Sequence, residues 1–271
     1  MARPLLVYFH GVPGSSAELD LIEGADQGCD LFAPDRFAAP SDPDAGVAFD
    51  DLSQEIARAY PGRQFILVGF SLGSFVALQV AQRLGARVDG VHLISATAPL
   101  ECGDFLPLMA GGGVFKTAQA SPRLFAVMAG AQSMLARVAP GVLFSALFNT
   151  ATGADRALAS DPAFKARVTA MLRRGLGTGS AQYRREIGAY VRPWSDLLPK
   201  ITAKTTLWHG EEDNWSPFAM ALALEAALPD ARLIRLPGCS HYSALLQSFP
   251  QLASDYFGAM GRPLVTSFSS T

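Results

Sequence analysis

Short apolar runs recur along this chain, each followed by a segment with helical spacing, and that alternation restricts the fold more than any other feature of the sequence. Residues 5–9 (Leu-Leu-Val-Tyr-Phe) and 65–68 (Phe-Ile-Leu-Val) are unbroken apolar runs. Strands without a polar face are buried on both sides, as in a parallel sheet covered by helices. Residues 29–33, stopped by Pro34, and 88–95, 205–208 and 232–236 read as further strands. Between them, Leu52, Ile56 and Tyr60 stand four apart, an apolar helical stripe closed by Pro61-Gly62. Ser216-Pro217 reads as the N-cap and first position of a helix running to about Leu228, and residues 243–260 as a closing helical region interrupted at Pro250. This pattern predicts an α/β fold with a mostly parallel sheet of about six strands and helices on both faces.

The alternation lapses over residues 99–200, where strand signals vanish and helical stretches rich in Ala, Leu, Met, Phe and Arg take over, most clearly at 124–138 and 162–172. The expected division is therefore a first core part at 1–98, a helical insertion at 99–200, and a second core part at 201–271. Gly111-Gly112-Gly113 lacks a P-loop lysine and does not join a strand to a helix, so it reads as a flexible loop rather than a phosphate cradle. A length of 271 residues with 49% hydrophobic and 17% charged residues implies a large buried core. The formal net charge of -2, with no basic or acidic block, gives no support to a nucleic-acid or membrane-surface partner. Arg173-Arg174 and Arg184-Arg185 read as solvated helix faces. Cys29, Cys102 and Cys239 are far apart, which indicates neither a metal site nor a disulfide framework, and their odd number suits a reducing compartment. No signal-peptide pattern precedes the first strand and no apolar run reaches bilayer length, so a soluble cytoplasmic protein is expected.

Chemistry concentrates at Gly69-Phe70-Ser71-Leu72-Gly73, between the strand at 65–68 and a helix beginning at Ser74. A serine on such a sharp turn projects its hydroxyl clear of the backbone, and the turn needs small neighbours. A serine hydroxyl is a weak nucleophile without an adjacent base. Of four histidines, His92 lies within a strand and reads as packed, His209 as structural, and His10 as a shaper of its own loop. His241 stands in the loop after the sixth strand, Pro237-Gly238-Cys239-Ser240-His241-Tyr242, at the sheet end where active sites form. Asp213 follows the fifth strand in Gly210-Glu211-Glu212-Asp213, and the alternative is that it only caps the turn before Ser216. Glu211 and Glu212 rank below it. In His10-Gly11-Val12-Pro13-Gly14 the glycines allow close approach of backbone to substrate, and the Val12 N–H is free to join that of Leu72 as an oxyanion donor, unless the segment is an ordinary turn.

These four segments, in this order, resemble the α/β-hydrolase family, capped serine-hydrolase kind. The resemblance covers about residues 3–99 and 200–260, and the segment Arg192-Pro193-Trp194 leading to Leu207-Trp208-His209-Gly210 resembles the return from lid to core in some members. It implies Ser71 as nucleophile, His241 as base, Asp213 as orienting acid, Val12 and Leu72 as oxyanion donors, and residues 99–200 as the lid. The chain departs from the family in three places. It starts at what would be the third strand, so a sheet without the antiparallel edge is expected. Asp35-Arg36-Phe37-Ala38-Ala39-Pro40-Ser41 replaces a usually glycine-rich segment, and Lys204 stands where proline is common.

The lid carries Phe105, Leu106, Met109, Phe115, Phe125, Met128, Met134, Phe144 and Phe148. Most are expected to pack lid helices together, with some facing an apolar pocket. Trp215 and Tyr242 are candidates for the pocket wall or for the core, and Cys239 reads as a packed residue. The expected activity is hydrolysis of a carboxylic ester of a hydrophobic small molecule through an acyl-enzyme, with neither cofactor nor metal. The same residues would serve a C–C bond hydrolase, a lactonase or a cofactor-free perhydrolase. A ligand-binding or signalling protein with a vestigial triad is the alternative from another class.

Overall fold

The computed structural model describes residues 5–22, 30–37 and 45–257. Cys29, residues 38–41 of the loop after Asp35, and residues 258–260 of the expected closing helix lie outside them. Among the described residues a single sheet of six parallel strands forms: β1 (Leu5–Phe9), β2 (Leu31–Phe32), β3 (Phe65–Phe70), β4 (Val88–Ile94), β5 (Thr205–Gly210) and β6 (Ala231–Leu236). Their spatial order is β2-β1-β3-β4-β5-β6. The chain steps outward from β1 to β2, returns past β1 to β3, and then proceeds in one direction. The order therefore reverses between β1 and β3, and a parallel sheet opens a crevice beyond the carboxyl ends of its strands at such a point. Gly11–Gly14 leaves β1 and Ser71 leaves β3 into that crevice.

β1 and β3 are buried at every position, which explains their unbroken apolar character. Helix α1 (Ala45–Ala59) connects β2 to β3 and buries Phe49, Leu52 and Ile56, at helical spacing. Helix α2 (Gly73–Leu84) connects β3 to β4 and is buried along most of its length.

Between β4 and β5 the chain forms an inserted cap. Its helices are α3 (Gly112–Ala120), α4 (Pro122–Val138), α5 (Pro140–Phe148), α6 (Asp155–Ser160), α7 (Pro162–Leu172) and α8 (Ser180–Tyr190), with a π-helical turn at Arg173–Thr178. Proline opens α4, α5 and α7, where its missing N–H costs nothing. No single described helix is long and apolar enough to cross a membrane. The α4–α5 pair has the length and composition but is bent by 115°.

Four expectations require correction. Gly111–Gly113 is not a loop: α3 begins at Gly112, whose missing Cβ would lie 2.2 Å from the Leu106 carbonyl oxygen, so glycine lets the helix seat against the preceding turn. The helix after β5, α9 (Phe218–Ala227), begins beyond Ser216-Pro217. Ser216 is drawn into the turn instead, its N–H donated to Asp213 and its carbonyl accepting from His209. The last helix, α10 (His241–Phe257), starts two residues early and runs through Pro250. The one backbone bond that proline removes is outweighed by burial of Leu245, Phe249, Leu252 and Ala253. Arg185 is half-buried and donates to the Arg36 carbonyl, whereas Arg173, Arg174 and Arg184 are exposed.

Candidate functional site

Ser71 follows β3 directly and adopts φ +54°, a left-handed conformation costly for a residue with a Cβ. The surroundings impose it. Ser71 donates its N–H to the Ile94 carbonyl at 2.9 Å, and α2 restarts the chain two residues later. A Cβ on Gly69 would stand 2.6 Å from the Ser74 Cα, and one on Gly73 would stand 2.1 Å from the Phe9 carbonyl oxygen. The two glycines of the motif thus permit α2 to fold back against β3 and pack on β1, leaving Ser71 at the apex. Among the described residues, neither the Val12 N–H nor the Leu72 N–H has a hydrogen-bond partner, and both residues line a cavity with Ser71.

His241 and Asp213 meet across the ends of β5 and β6. His241 Nδ1 and Asp213 Oδ2 are 2.9 Å apart, and both side chains are buried. Asp213 Oδ1 accepts the N–H groups of Trp215 and Ser216, each at 2.9 Å, so the residue does cap its own turn. Its second oxygen remains for the histidine, and the capping role and the pairing role coexist. Burial raises the Asp213 carboxyl, but His241, His209 and the Ser216 N–H outweigh it and hold it below the ordinary carboxylate range. An ionised, fully hydrogen-bonded aspartate fixes the imidazole so that Nδ1 carries the proton and Nε2 is left to act as a base. Trp215 stacks on the His241 ring at 5.0 Å and 28°, and Tyr242 packs against Phe70.

The other histidines are occupied as expected. His10 Nδ1 bonds the Gly11 carbonyl at 2.8 Å, and burial together with Arg36 depresses its pKa. His92 accepts the Trp208 indole N–H and contacts the Tyr256 hydroxyl. His209 donates to the Ser216 carbonyl at 2.7 Å. Cys239 is buried and its Sγ meets Gln247 Oε1, with burial raising the thiol's pKa. Glu211 pairs with Arg235 at the surface. Among the described residues no three His, Cys, Asp or Glu side chains group as metal ligands.

Two cavities meet at Ser71. One, of about 10 Å3, is lined by Ser71, His241, Trp215, Tyr242 and Gly11, among others. The other, of about 420 Å3, extends from Ser71, Val12 and Leu72 beneath the cap. Met109 and Phe115 supply part of its apolar wall, with Gln132 and Tyr183 bonded to each other at 2.9 Å. The remaining cap aromatics mostly pack together: Phe144 stacks on Phe148 at 4.5 Å and Phe164 meets both, while Met134 is exposed.

Further side chains to which the sequence assigned no role support this arrangement. Asp155, on the cap, caps the helix that begins with His241: it accepts the Tyr242 N–H at 2.9 Å and both the N–H (2.7 Å) and hydroxyl (2.5 Å) of Ser243. Gly153, at φ +51°, allows the close approach, since its Cβ would stand 2.7 Å from the Gly238 carbonyl oxygen. Ser95 donates to the His241 carbonyl at 3.0 Å. Arg36 forms a buried pair with Glu186 of α8 at 2.7 Å and donates to the His10 carbonyl at 3.0 Å, joining the loop after β1 to the cap. None belongs to a local motif. The proline-free segment Thr-Gly-Ala-Asp around Asp155 gave no hint of a partner some ninety residues away.

A model of the Alpha/beta hydrolase family matches residues 6–254. The pimeloyl-[acyl-carrier protein] methyl ester esterase of Nitrosomonas europaea is 26% identical over 264 residues, covering 95% of each chain. Among solved structures, the enol-lactonase from Burkholderia xenovorans superposes with a TM-score of 0.68 at 17% identity, covering 94% of this chain and 92% of that one. A thermophilic esterase from Thermogutta terrifontis superposes with a TM-score of 0.67 at 17% identity, covering 95% and 91% respectively. These structural likenesses concern the fold.

Proposed function

The chain belongs to the alpha/beta hydrolase family, and from that premise we propose that it hydrolyses a carboxylic ester of a hydrophobic small molecule through an acyl-enzyme on Ser71. The observation that carries the reading is the convergence of Ser71 with the buried Asp213–His241 pair on one cavity beneath the cap. In this mechanism Ser71 Oγ attacks the ester carbonyl while His241 Nε2 takes its proton. The developing oxyanion accepts the N–H groups of Val12 and Leu72. His241 then protonates the departing alcohol, and water repeats the sequence to release the acid. Ser243, although closer to His241 in sequence, is not the nucleophile: its hydroxyl donates to Asp155 and accepts the Ser240 N–H at 2.7 Å.

The mostly apolar 420 Å3 cavity suits an acyl chain, and residues 99–200 act as the lid over it. An ester is favoured over a lactone or a C–C bond because the relative matched along 95% of each chain is a methyl ester esterase. The test is a panel of p-nitrophenyl and methyl esters of increasing chain length beside lactones and diketones. Esters of medium acyl chains should turn over fastest, and a preference for lactones or diketones overturns the bond assignment. Ser71→Ala should lower turnover by about six orders of magnitude, and retention of most activity refutes the acyl-enzyme.

A further inference from the structure

The cavity shared by Ser71 and His241 also holds a carboxyl side chain. Glu18 lies on the short 3-10 helix Ser16–Leu21 and is fully buried. Its Oε2 accepts the Tyr8 hydroxyl at 3.0 Å and the Gly11 N–H at 2.8 Å, which ties it to the loop carrying Val12. Its Oε1 has no hydrogen-bond partner among the described residues. Glu18 lines the cavity of about 10 Å3 together with Ser71 and His241, and that is room for about one water molecule. The distances are short: a carbon built on Gly11 would stand 3.2 Å from Glu18 Oε1 and 3.2 Å from Ser71 Cβ, so one atom spans the gap. Gly14 is closer still, its Cβ position being 2.5 Å from Oε1, so glycine is required there for the carboxylate to fit. Burial pushes the Glu18 carboxyl up to about 7, against the pull of the Gly11 N–H, the Tyr8 hydroxyl, Arg36 and His241. A buried carboxylate oxygen without a donor is costly, and a water that donates to it removes that cost.

We propose that Glu18 Oε1 holds the water that hydrolyses the acyl-enzyme. The role rests on the acyl-enzyme reading given above. The water donates one O–H to Glu18 Oε1 and the other to His241 Nε2. As its oxygen forms a bond to the acyl carbon, His241 takes the second proton. The tetrahedral intermediate then collapses, the bond from the acyl carbon to Ser71 Oγ breaks, and His241 returns its proton to Ser71. Above about pH 7, where its carboxyl is ionised, Glu18 takes no proton and acts only by aiming the water.

The decisive variant is Glu18→Gln. Tyr8 and Gly11 both present donors to the inner oxygen, so the amide oxygen turns to them and the NH2 group faces the cavity. The oxyanion loop keeps its tether, while the water meets a donor where it had an acceptor. With p-nitrophenyl butyrate in stopped flow, the variant should release about one equivalent of nitrophenolate at close to the wild-type acylation rate. Steady-state turnover should then fall about 10- to 100-fold, the value of one hydrogen bond to a charged group. Intact mass spectrometry should find the butyryl group on Ser71. An equal loss in burst and steady state, or wild-type turnover, overturns the proposal. Should the amide variant not fold, Glu18→Asp, which withdraws the carboxylate from the cavity, is read for the same ratio. Ser71→Ala separates the two readings. Acylation of Ser71 with normal deacylation in Glu18→Gln defeats only the water site, whereas ester hydrolysis persisting in Ser71→Ala defeats the acyl-enzyme itself.

Discussion

Replacing Asp155 with alanine tests whether the cap holds His241, the proposed base, in place. Asp155 belongs to α6 of the cap, yet its carboxylate satisfies the Tyr242 N–H and both the N–H and hydroxyl of Ser243, in the first turn of the helix that begins with His241. It is 2% exposed, so water does not replace it freely. Its removal leaves two buried N–H groups and a hydroxyl without their acceptor, at about 1–3 kcal/mol each. Against this stands relief of a carboxylate whose pKa burial keeps above its usual value despite the bonds from Ser243 and Tyr242. The balance is a loss of about 2–4 kcal/mol in unfolding free energy, at the upper end of or beyond an ordinary N-cap. Urea denaturation followed by fluorescence measures it. Turnover should drop as well, by up to about 100-fold, because a displacement near 1 Å of His241 is enough to misalign proton transfer. Asp155→Asn, which keeps one acceptor oxygen, should lie between alanine and wild type on both scales. Unfolding free energy within about 0.5 kcal/mol of wild type, with unchanged turnover, would refute the idea that cap and histidine are coupled through this residue.

Glu186→Ala strands the Arg36 guanidinium in a buried site and should cost about 3–5 kcal/mol in urea unfolding, whereas the double change Arg36→Met with Glu186→Leu should cost less than Glu186→Ala alone. His92 is held neutral by burial, with its pKa lowered from 6.5 to about 4. Below pH 6.5 the unfolded chain takes up a proton that the native state refuses, so this contribution is complete above pH 6.5 and is lost progressively down to about 4. The loss is at most about 3 kcal/mol. The unfolding free energy of His92→Gln measured across that range should show a correspondingly shallower dependence on pH, and parallel curves for variant and wild type would contradict the assignment.

Legibility differed between local and distant relations. The strands at 5–9 and 65–68 were readable because burial on both faces leaves an unbroken apolar signature. The elbow was readable because strand, glycine, serine, glycine and helix are contiguous, and the glycines proved necessary for contacts with Phe9 and Ser74. Asp213 was readable as a candidate at a strand end, but its double use, Oδ1 for its own turn and Oδ2 for His241, follows from how the loops after β5 and β6 lie together. The helix starts at 112 and 218 were misread because tertiary contacts overrode local signals. Gly112 packs on Leu106, and Ser216 serves Asp213 and His209 rather than capping α9.

By itself, the sequence determined the sheet of parallel strands, the inserted helices and the order of the chemical groups, because periodicity and turn chemistry are local properties of neighbouring residues. The tertiary structure alone decided what surrounds those groups. Asp155 reaches the helix of His241, Arg36 meets Glu186, and Glu18 faces Ser71 only once distant segments have packed. Charged groups at such separations leave no periodic trace in the chain. Each is held in the interior by groups that the fold brings to it, and for Glu18 these are the Tyr8 hydroxyl and the Gly11 N–H on Oε2.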